Sequence, residues 1–374
     1  MSVVSAHRVA IIGSGIVGLA HAWAASLRGD AVTVYERDTQ AVGASVRNFG
    51  LGLVLGQPQG ELYDMALRSR AMWLEFFRDT DCWHKAQGSL TVARTPAELA
   101  VIEAFQQECG AAYGTKLMNA AEVATHHATG LGGLYSGTEI ALESRYAMGI
   151  LAKWLAVRHG VKFEYGVQVN AIELPKLHSS TGIHYADQVV ICSGHDFQTL
   201  YPQHYANLGA GVGIKRCALQ MLRVANPGIQ LAPALMTGLS TLRYEAYTEC
   251  KALAEPLAAL RAEVERTAPA LLEHDIHLIV QQVGARGDLL IGDSHVHSET
   301  VSPFSRTDID ALILGLAENL LGRSLSVLEH WQGVYASGPN AYELITPAEH
   351  VLGVVITGGT GMSISFALAQ KNLT

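Results

Sequence analysis

Apolar positions along this chain fall into two rhythms, short β-branched runs and longer stretches with helical spacing. The two alternate from one end to the other, which predicts an α/β or α+β fold. Arg8–Ile12 reads as a buried strand, Ile16–Leu27 as a helix, and Ala31–Glu36 as a second strand entered through Gly29-Asp30. Together they form one βαβ unit. An irregular glycine-rich stretch covers Gly43–Gly60, followed by a helix over about Leu62–Asp79. From Gly88 the pattern predicts a strand at Ser89–Ala93 and a helix at Pro96–Glu108, with proline in the first turn, where its missing N–H costs nothing. Next come a helix at Arg145–His159 and strands at Val161–Glu173 and Tyr185–Cys192. Further strands are expected at Ala218–Val224, His277–Val283 and Asp288–Ile291, and a helix at Leu253–Thr267. The chain closes with a helix at Asp308–Leu321, a strand at Val351–Thr357, a glycine turn and a last helix. The expected layout is a Rossmann-type nucleotide domain assembled from residues 1–85, 145–212 and 306–374. A β-rich substrate domain, residues 86–144 and 213–305, is interleaved with it.

Composition narrows the function. Of 374 residues, 49% are apolar and 16% charged, against a globular norm of about 25% charged, so the chain must bury a large core. A disordered or tail-dominated protein is excluded. The net charge is −8, with 26 basic against 34 acidic residues and no basic cluster, which excludes a nucleic-acid partner. The five scattered cysteines include no C-x-x-C pair, so they read as buried thiols in a reducing compartment and not as a disulfide frame or a thiolate metal site. Val9–Ala25 has the apolarity of a signal peptide, but its glycines are spaced for another purpose and it runs straight into a strand. No window approaches the ~18 uninterrupted apolar residues of a membrane span. A soluble cytoplasmic protein is expected. No serine sits in a G-x-S-x-G elbow, which leaves a hydrolase without a nucleophile.

The strongest motif is Gly13-Ser14-Gly15-Ile16-Val17-Gly18, placed between a strand that includes Ile12 and the start of a helix. Gly13 permits the tight turn, Gly15 the approach of a pyrophosphate, and Gly18 close helix–strand packing. The helix N-terminus adds donors and a positive dipole end for phosphates. Glu36 ends the next strand 18 residues after Gly18, where it can accept hydrogen bonds from ribose hydroxyls and would repel a 2′-phosphate. Three later features favour FAD over NAD. The strand ending in Cys192-Ser193-Gly194 has small residues that suit close passage beside a cofactor. Gly358-Gly359-Thr360-Gly361-Met362 forms a second glycine turn at a helix N-terminus, whose dipole could stabilise a reduced flavin ring. Gly43–Gly50 is an irregular polar loop soon after the first βαβ unit.

This ordered set, with Glu36-Arg37, Val167-Gln168-Val169 and Asp187–Gly194, resembles the D-amino-acid oxidase, glycine oxidase and sarcosine oxidase group of FAD amine oxidoreductases. The similarity spans essentially the whole chain. Ala44–Gly50, Gly292-Asp293-Ser294-His295 and Trp331–Tyr335 are similar to a narrower branch associated with phosphonate breakdown, which acts on 2-aminoethylphosphonate-type amines, including N-alkylated ones. The resemblance implies that Ile12, Gly13, Ser14, Gly15, Ile16 and Val17 hold the pyrophosphate end and that Glu36 and Arg37 hold the adenosine, with Val169 near adenine. It places Ser45, Arg47 and Asn48 beside the flavin ring, Ala44, Ser193 and Gly194 elsewhere along the cofactor, and Gly358, Gly359, Thr360, Gly361 and Met362 at the pyrimidine side of the flavin.

Two departures from the family pattern matter. Relatives that oxidise amino acids clamp the substrate carboxylate with an arginine where this chain has Tyr335, and a phenol cannot reproduce a guanidinium fork. The anion is then held elsewhere or is not an α-carboxylate, with Arg47, Arg243, Tyr244 and His295 as the candidates beside Tyr335; a surface salt bridge or helix cap is the plainer role for the charged ones. The sarcosine oxidase branch tethers its flavin to a C-terminal cysteine, whereas the last cysteine here is Cys250, so FAD is expected to be non-covalent. His295 and His297 could share one face of a strand as metal ligands, but no third ligand is apparent and no metal is expected. The expected reaction is oxidation of the C–N bond of a small primary or secondary amine, with oxygen or another acceptor regenerating the flavin. Oxidation of D-amino acids, glycine or sarcosine, a 2-hydroxy acid dehydrogenase and a non-catalytic flavin-binding protein are the alternatives. Oligomeric state is not legible.

Overall fold

The computed structural model describes residues 6–206, 208 and 213–373. Most expected elements are present with ends shifted by a few residues: Arg8–Ile12, Ile16–Leu27 and Ala31–Glu36 match in full. The helix expected to stop at Glu108 continues to Tyr113. Gly110 does not break it, and the stop is Gly114, in the left-handed conformation that glycine adopts without strain. Its start is fixed by a capping box in which the Glu98 N–H donates to Thr95 Oγ1 and the Thr95 N–H to Glu98 Oε2. Val161–Glu173 divides into Lys162–Tyr165 and Val169–Glu173, which belong to different sheets.

Five parallel strands form the nucleotide half, in the order Lys162–Tyr165, Ala31–Glu36, Arg8–Ile12, Gln188–Ile191, Val351–Gly358. The order reverses direction at Arg8–Ile12, and in such sheets ligands bind outside the carboxyl ends of the strands at the switch. Helices cover one face and meet in an aromatic cluster: Trp23 contacts Trp154 edge-on at 4.7 Å and Phe366 at 5.2 Å, and Phe366 meets Trp73 at 4.9 Å. The all-round apolarity of Ile16–Leu27 follows from burial on both the sheet side and the helix side.

The sheet continues, largely antiparallel, into the second half, with 14 strands among the described residues. The join is one long strand, Val327–Ala348, that the sequence pattern did not reveal. Its first part pairs with Lys215–Val224 and its second with Val351–Gly358, with register shifts between Ser337 and Tyr342 that break the alternation a strand is recognised by. Helix Thr307–Leu321 packs Ile309, Ile313, Ala317 and Leu320 into the core of the β-rich half, beside Leu90, Val92 and Leu222. The expected 306–374 piece of the nucleotide domain therefore divides between the two halves. The boundary expected at 212/213 adjoins residues 209–212, which lie outside the described residues. Among the described residues no helix is long and apolar enough to cross a membrane.

Candidate functional site

A cavity of about 470 Å³ runs from the switch point of the parallel strands to the inner face of the antiparallel half. At the strand end its floor is backbone. Gly13 has φ +104°, and a Cβ there would lie 2.5 Å from the Cys192 carbonyl oxygen of the neighbouring strand. A Cβ on Gly18 would lie 1.9 Å from the Gly13 carbonyl oxygen, so the helix approaches the turn as closely as backbone permits. Ile12, Gly13, Gly15, Ile16 and Val17 line the cavity. Ser14 stands behind it, with both its N–H and its hydroxyl donating to Glu36 Oε2, at 2.9 and 2.8 Å. Glu36 is buried, lines the cavity, and takes a third hydrogen bond on Oε1 from the Asp38 N–H. The Arg37 guanidinium is anchored 2.9 Å from Asp196 at the rim.

The loop after the βαβ unit makes the next wall. Ala44–Val46 is a single 3₁₀ turn whose Ser45 Oγ accepts the Ile16 N–H at 2.9 Å, capping the first helix from outside. Asn48 is consumed by the loop, donating to Ala44 O and accepting the Gly50 N–H. Ala44, Ser45, Arg47, Asn48, Val169, Ser193 and Gly194 all line the cavity. Gly358, Gly359, Thr360, Gly361 and Met362 line it from the far side, at the start of helix Gly361–Leu373. That helix start is held by Trp73 Nε1 donating to Met362 O and by the Leu53 N–H donating to Ser363 Oγ. Thr360 Oγ1 is buried without a hydrogen-bond partner in the protein. Cys192 lines the cavity too, with its thiol pushed far above the ordinary range by burial, which keeps it protonated and inert.

The opposite end is built from side chains. Arg243 Nη2 donates to the Tyr335 hydroxyl at 3.1 Å, while its Nη1 is 2.6 Å from Asp275 Oδ2. Tyr335 thus meets an arginine from another element. Arg47 is more loosely set, 3.4 Å from Gln332 O, with its own carbonyl accepting from Trp331 Nε1. Tyr244 packs edge-on to His277 at 5.4 Å. His295 is buried beside the cavity, its Nδ1 2.9 Å from the Asp275 carbonyl oxygen.

Two residues here were not among the expected site residues. His277 and Asp293 line the same end, and the donor atoms of His277, Asp293 and His295 all lie within 4.8 Å of one another. The anticipated pairing of His295 with His297 does not form a site. His295 precedes the short strand Val296–Ser298, whereas the His297 ring lies 4.0 Å from Cys217 Sγ. The third ligand judged missing comes from the hairpin: strands Ile279–Val283 and Asp288–Gly292 pair Ile279 with Gly292, so residues just outside each end converge. Burial pushes the Asp293 carboxyl up to about 7, against the pull of Arg243. Burial, with Arg243 acting in the same sense, holds His277 and His295 well below the ordinary imidazole range.

Comparisons with known proteins agree with this architecture. The chain is similar to glycine oxidase from Geobacillus kaustophilus (18% identity, 97% of this chain and 93% of that one, TM-score 0.72). It is similar to L-proline dehydrogenase from P. horikoshii (17% identity, 98% and 91%, TM-score 0.72). L-α-glycerophosphate oxidase from Mycoplasma pneumoniae, solved with FAD bound, shares 14% identity over 98% and 94%, with TM-score 0.70. A search of curated protein sequences returns no match. The family model described as DAO, FAD dependent oxidoreductase, matches residues 8–371, which takes in the glycine turn, the loop wall and the second helix start alike. With that match across nearly its whole length, the chain belongs to the DAO family of FAD-dependent oxidoreductases.

Proposed function

We propose that the protein oxidises the C–N bond of a small amine bearing a phosphonate, 2-aminoethylphosphonate or an N-alkyl derivative, yielding an imine that water hydrolyses to an aldehyde and an amine or ammonia. FAD, when bound, supplies the acceptor for the hydride equivalent. The residues present fit such a group: a backbone floor that a Cβ would fill, two helix starts facing one cavity, and an orphaned Thr360 hydroxyl. In this reading Ile12–Val17 hold the pyrophosphate, with Ser14 acting through Glu36. Glu36 and Arg37 hold the adenosine, with Val169 against adenine. Ala44, Ser45, Asn48, Ser193 and Gly194 flank the cofactor, and Gly358–Met362 close the flavin end.

The observation that carries the substrate reading is the Arg243–Tyr335 contact, with Arg243 fixed by Asp275. A guanidinium with one fork already committed to a carboxylate offers its remaining donors as separate points. That suits a tetrahedral dianion with three acceptor oxygens better than a planar carboxylate that wants the whole fork. Arg47 adds a second cation at the same cavity. The apolar wall from Phe49, Leu219, Met221 and Ile279 excludes water and favours the neutral, reactive form of the amine. We assign the activity to the cytoplasm, in keeping with five free cysteines, and reoxidation to oxygen or another small acceptor. Anaerobic mixing of the flavin-loaded protein with aminophosphonates, glycine, sarcosine, D-alanine and 2-hydroxy acids tests the reading. Fast flavin bleaching by aminophosphonates is expected. Equal or faster bleaching by amino acids or hydroxy acids overturns it.

A further inference from the structure

Two imidazoles and a carboxylate converge beside the cavity at separations longer than an ordinary hydrogen bond. His277 Nε2 lies 3.5 Å from Asp293 Oδ1, and His295 Nε2 lies 3.5 Å from Asp293 Oδ2, one imidazole to each oxygen. All three side chains are almost fully buried. A charge-assisted hydrogen bond would close to about 2.7–2.9 Å. Asp293 Oδ1 has no hydrogen-bond partner.

The tautomers sharpen the conflict. His295 Nδ1 faces a backbone carbonyl, which only accepts, so Nδ1 carries the hydrogen and Nε2 of the neutral ring presents a lone pair to a carboxylate oxygen. The His277 Nδ1 is 3.2 Å from Ser240 Oγ, which can accept its hydrogen in the same way. Both rings therefore have the outer partner that metal-binding histidines use to fix tautomer and orientation. In those tautomers each residue offers one ligand atom, and the three lie within 4.8 Å of one another. In a tetrahedral ion with ligands at about 2.1 Å, neighbouring ligand atoms stand about 3.4 Å apart, close to the two separations seen. Arg243 is ion-paired with Asp275, and among the described residues the ion-pair partners of buried Asp293 are the two imidazoles.

We propose that His277, Asp293 and His295 form a binding site for one divalent cation of the zinc class, held by the two Nε2 atoms and the carboxylate. Three protein ligands leave at least one coordination position free, and the cavity that all three line is where it opens. With Arg243 alongside, that position takes an anionic oxygen, and in the aminophosphonate reading the oxygen belongs to the phosphonate. This last assignment rests on the proposed function; the cation site does not.

The test uses the flavin-loaded protein incubated with Zn²⁺, desalted, and analysed for zinc by inductively coupled plasma mass spectrometry and for FAD by absorbance. One zinc per chain is expected, together with a rise in Tm that a chelator reverses. His277→Gln and His295→Gln should each weaken zinc binding at least 100-fold with FAD content unchanged, and Ser240→Ala by about tenfold, as loss of an outer partner does. Wild-type protein that keeps its FAD but retains no more zinc than the His277→Gln/His295→Gln double variant, and shows no zinc-dependent Tm, overturns the site. Should a variant lose FAD, the wild-type stoichiometry and Tm response decide alone. Chelation should raise KM for 2-aminoethylphosphonate; bound zinc that leaves this KM unmoved overturns the phosphonate assignment while the cation site stands.

Discussion

The two ends of the cavity are made by different means. At the strand end, the wall is backbone: the Gly13 turn against Cys192, the Gly18 contact with the Gly13 carbonyl, and the start of helix Gly361–Leu373. At the other end it is a set of side chains from separate elements, with Arg243 just after the 3₁₀ turn Gly238–Leu242, His277 and Asp293 from just beyond the two strands at the open end of one hairpin, and Tyr335 from the long strand. A backbone wall demands particular residue types at fixed spacing, because only glycine fits. A side-chain wall demands only that several ordinary residues meet. The first tolerates almost no substitution, while the second can be retuned one residue at a time.

The sharpest way to break this contrast is Gly18→Val. Its Cβ would start 1.9 Å from a carbonyl oxygen, so the helix must move, at a cost of about 3 kcal/mol. FAD content, read as the flavin-to-protein absorbance ratio, should fall to near zero, and a fully flavinated variant would show that the backbone wall is not the cofactor's. Next is Arg243→Ala. Removing a charged donor costs about 2–3 kcal/mol, so kcat/KM for 2-aminoethylphosphonate should fall about 100-fold while FAD stays bound. Arg47→Ala, lacking a comparable anchor, should cost about tenfold. An equal loss of activity on glycine and on the phosphonate in Arg243→Ala would remove the argument for a dedicated anion end. Glu36→Arg sharpens the comparison from the first side. It deletes the acceptor of the Ser14 N–H and hydroxyl, and FAD affinity measured by fluorescence titration should weaken by roughly tenfold or more. Thr360→Val is the smallest change: loss of one orphan hydroxyl should weaken FAD about threefold to tenfold if that hydroxyl meets the cofactor, and not at all otherwise. Separately, acid precipitation should release FAD into the supernatant, since the cavity-lining thiol, Cys192, is held protonated.

Legibility in the sequence followed the same division. Gly13, Gly15, Gly18 and Glu36 announced the strand end because a βαβ unit is local: its strand, turn and helix are contiguous, and each constraint falls within thirty residues. The same holds for Gly358–Met362. Ser14 was identified as a phosphate contact, yet its donors face Glu36, a partner that a motif cannot specify. Arg243 and His295 were named as candidates without partners. His277 was missed altogether, although a usable signal existed: counting back from the hairpin turn that pairs Val283 with Asp288 brings His277 to the level of residues 293–295. The long strand Val327–Ala348 escaped because its bulges break the two-residue period and Gly338-Pro339-Asn340 mimics a turn.

What the sequence determined by itself is the nucleotide half: strand order close to the first helix, the glycine floor, the acidic residue after the second strand, and hence the class of cofactor. Those features are enforced by steric exclusion within short stretches, which leaves its mark in residue type. Only the tertiary structure decided that Arg243 meets Tyr335, that His277, Asp293 and His295 share one buried space, and that one strand joins both halves of the sheet. These contacts depend on strand register and on pairings between residues far apart in the chain, 92 positions for Arg243 and Tyr335, where any of many partners satisfies the local pattern equally and only packing selects one.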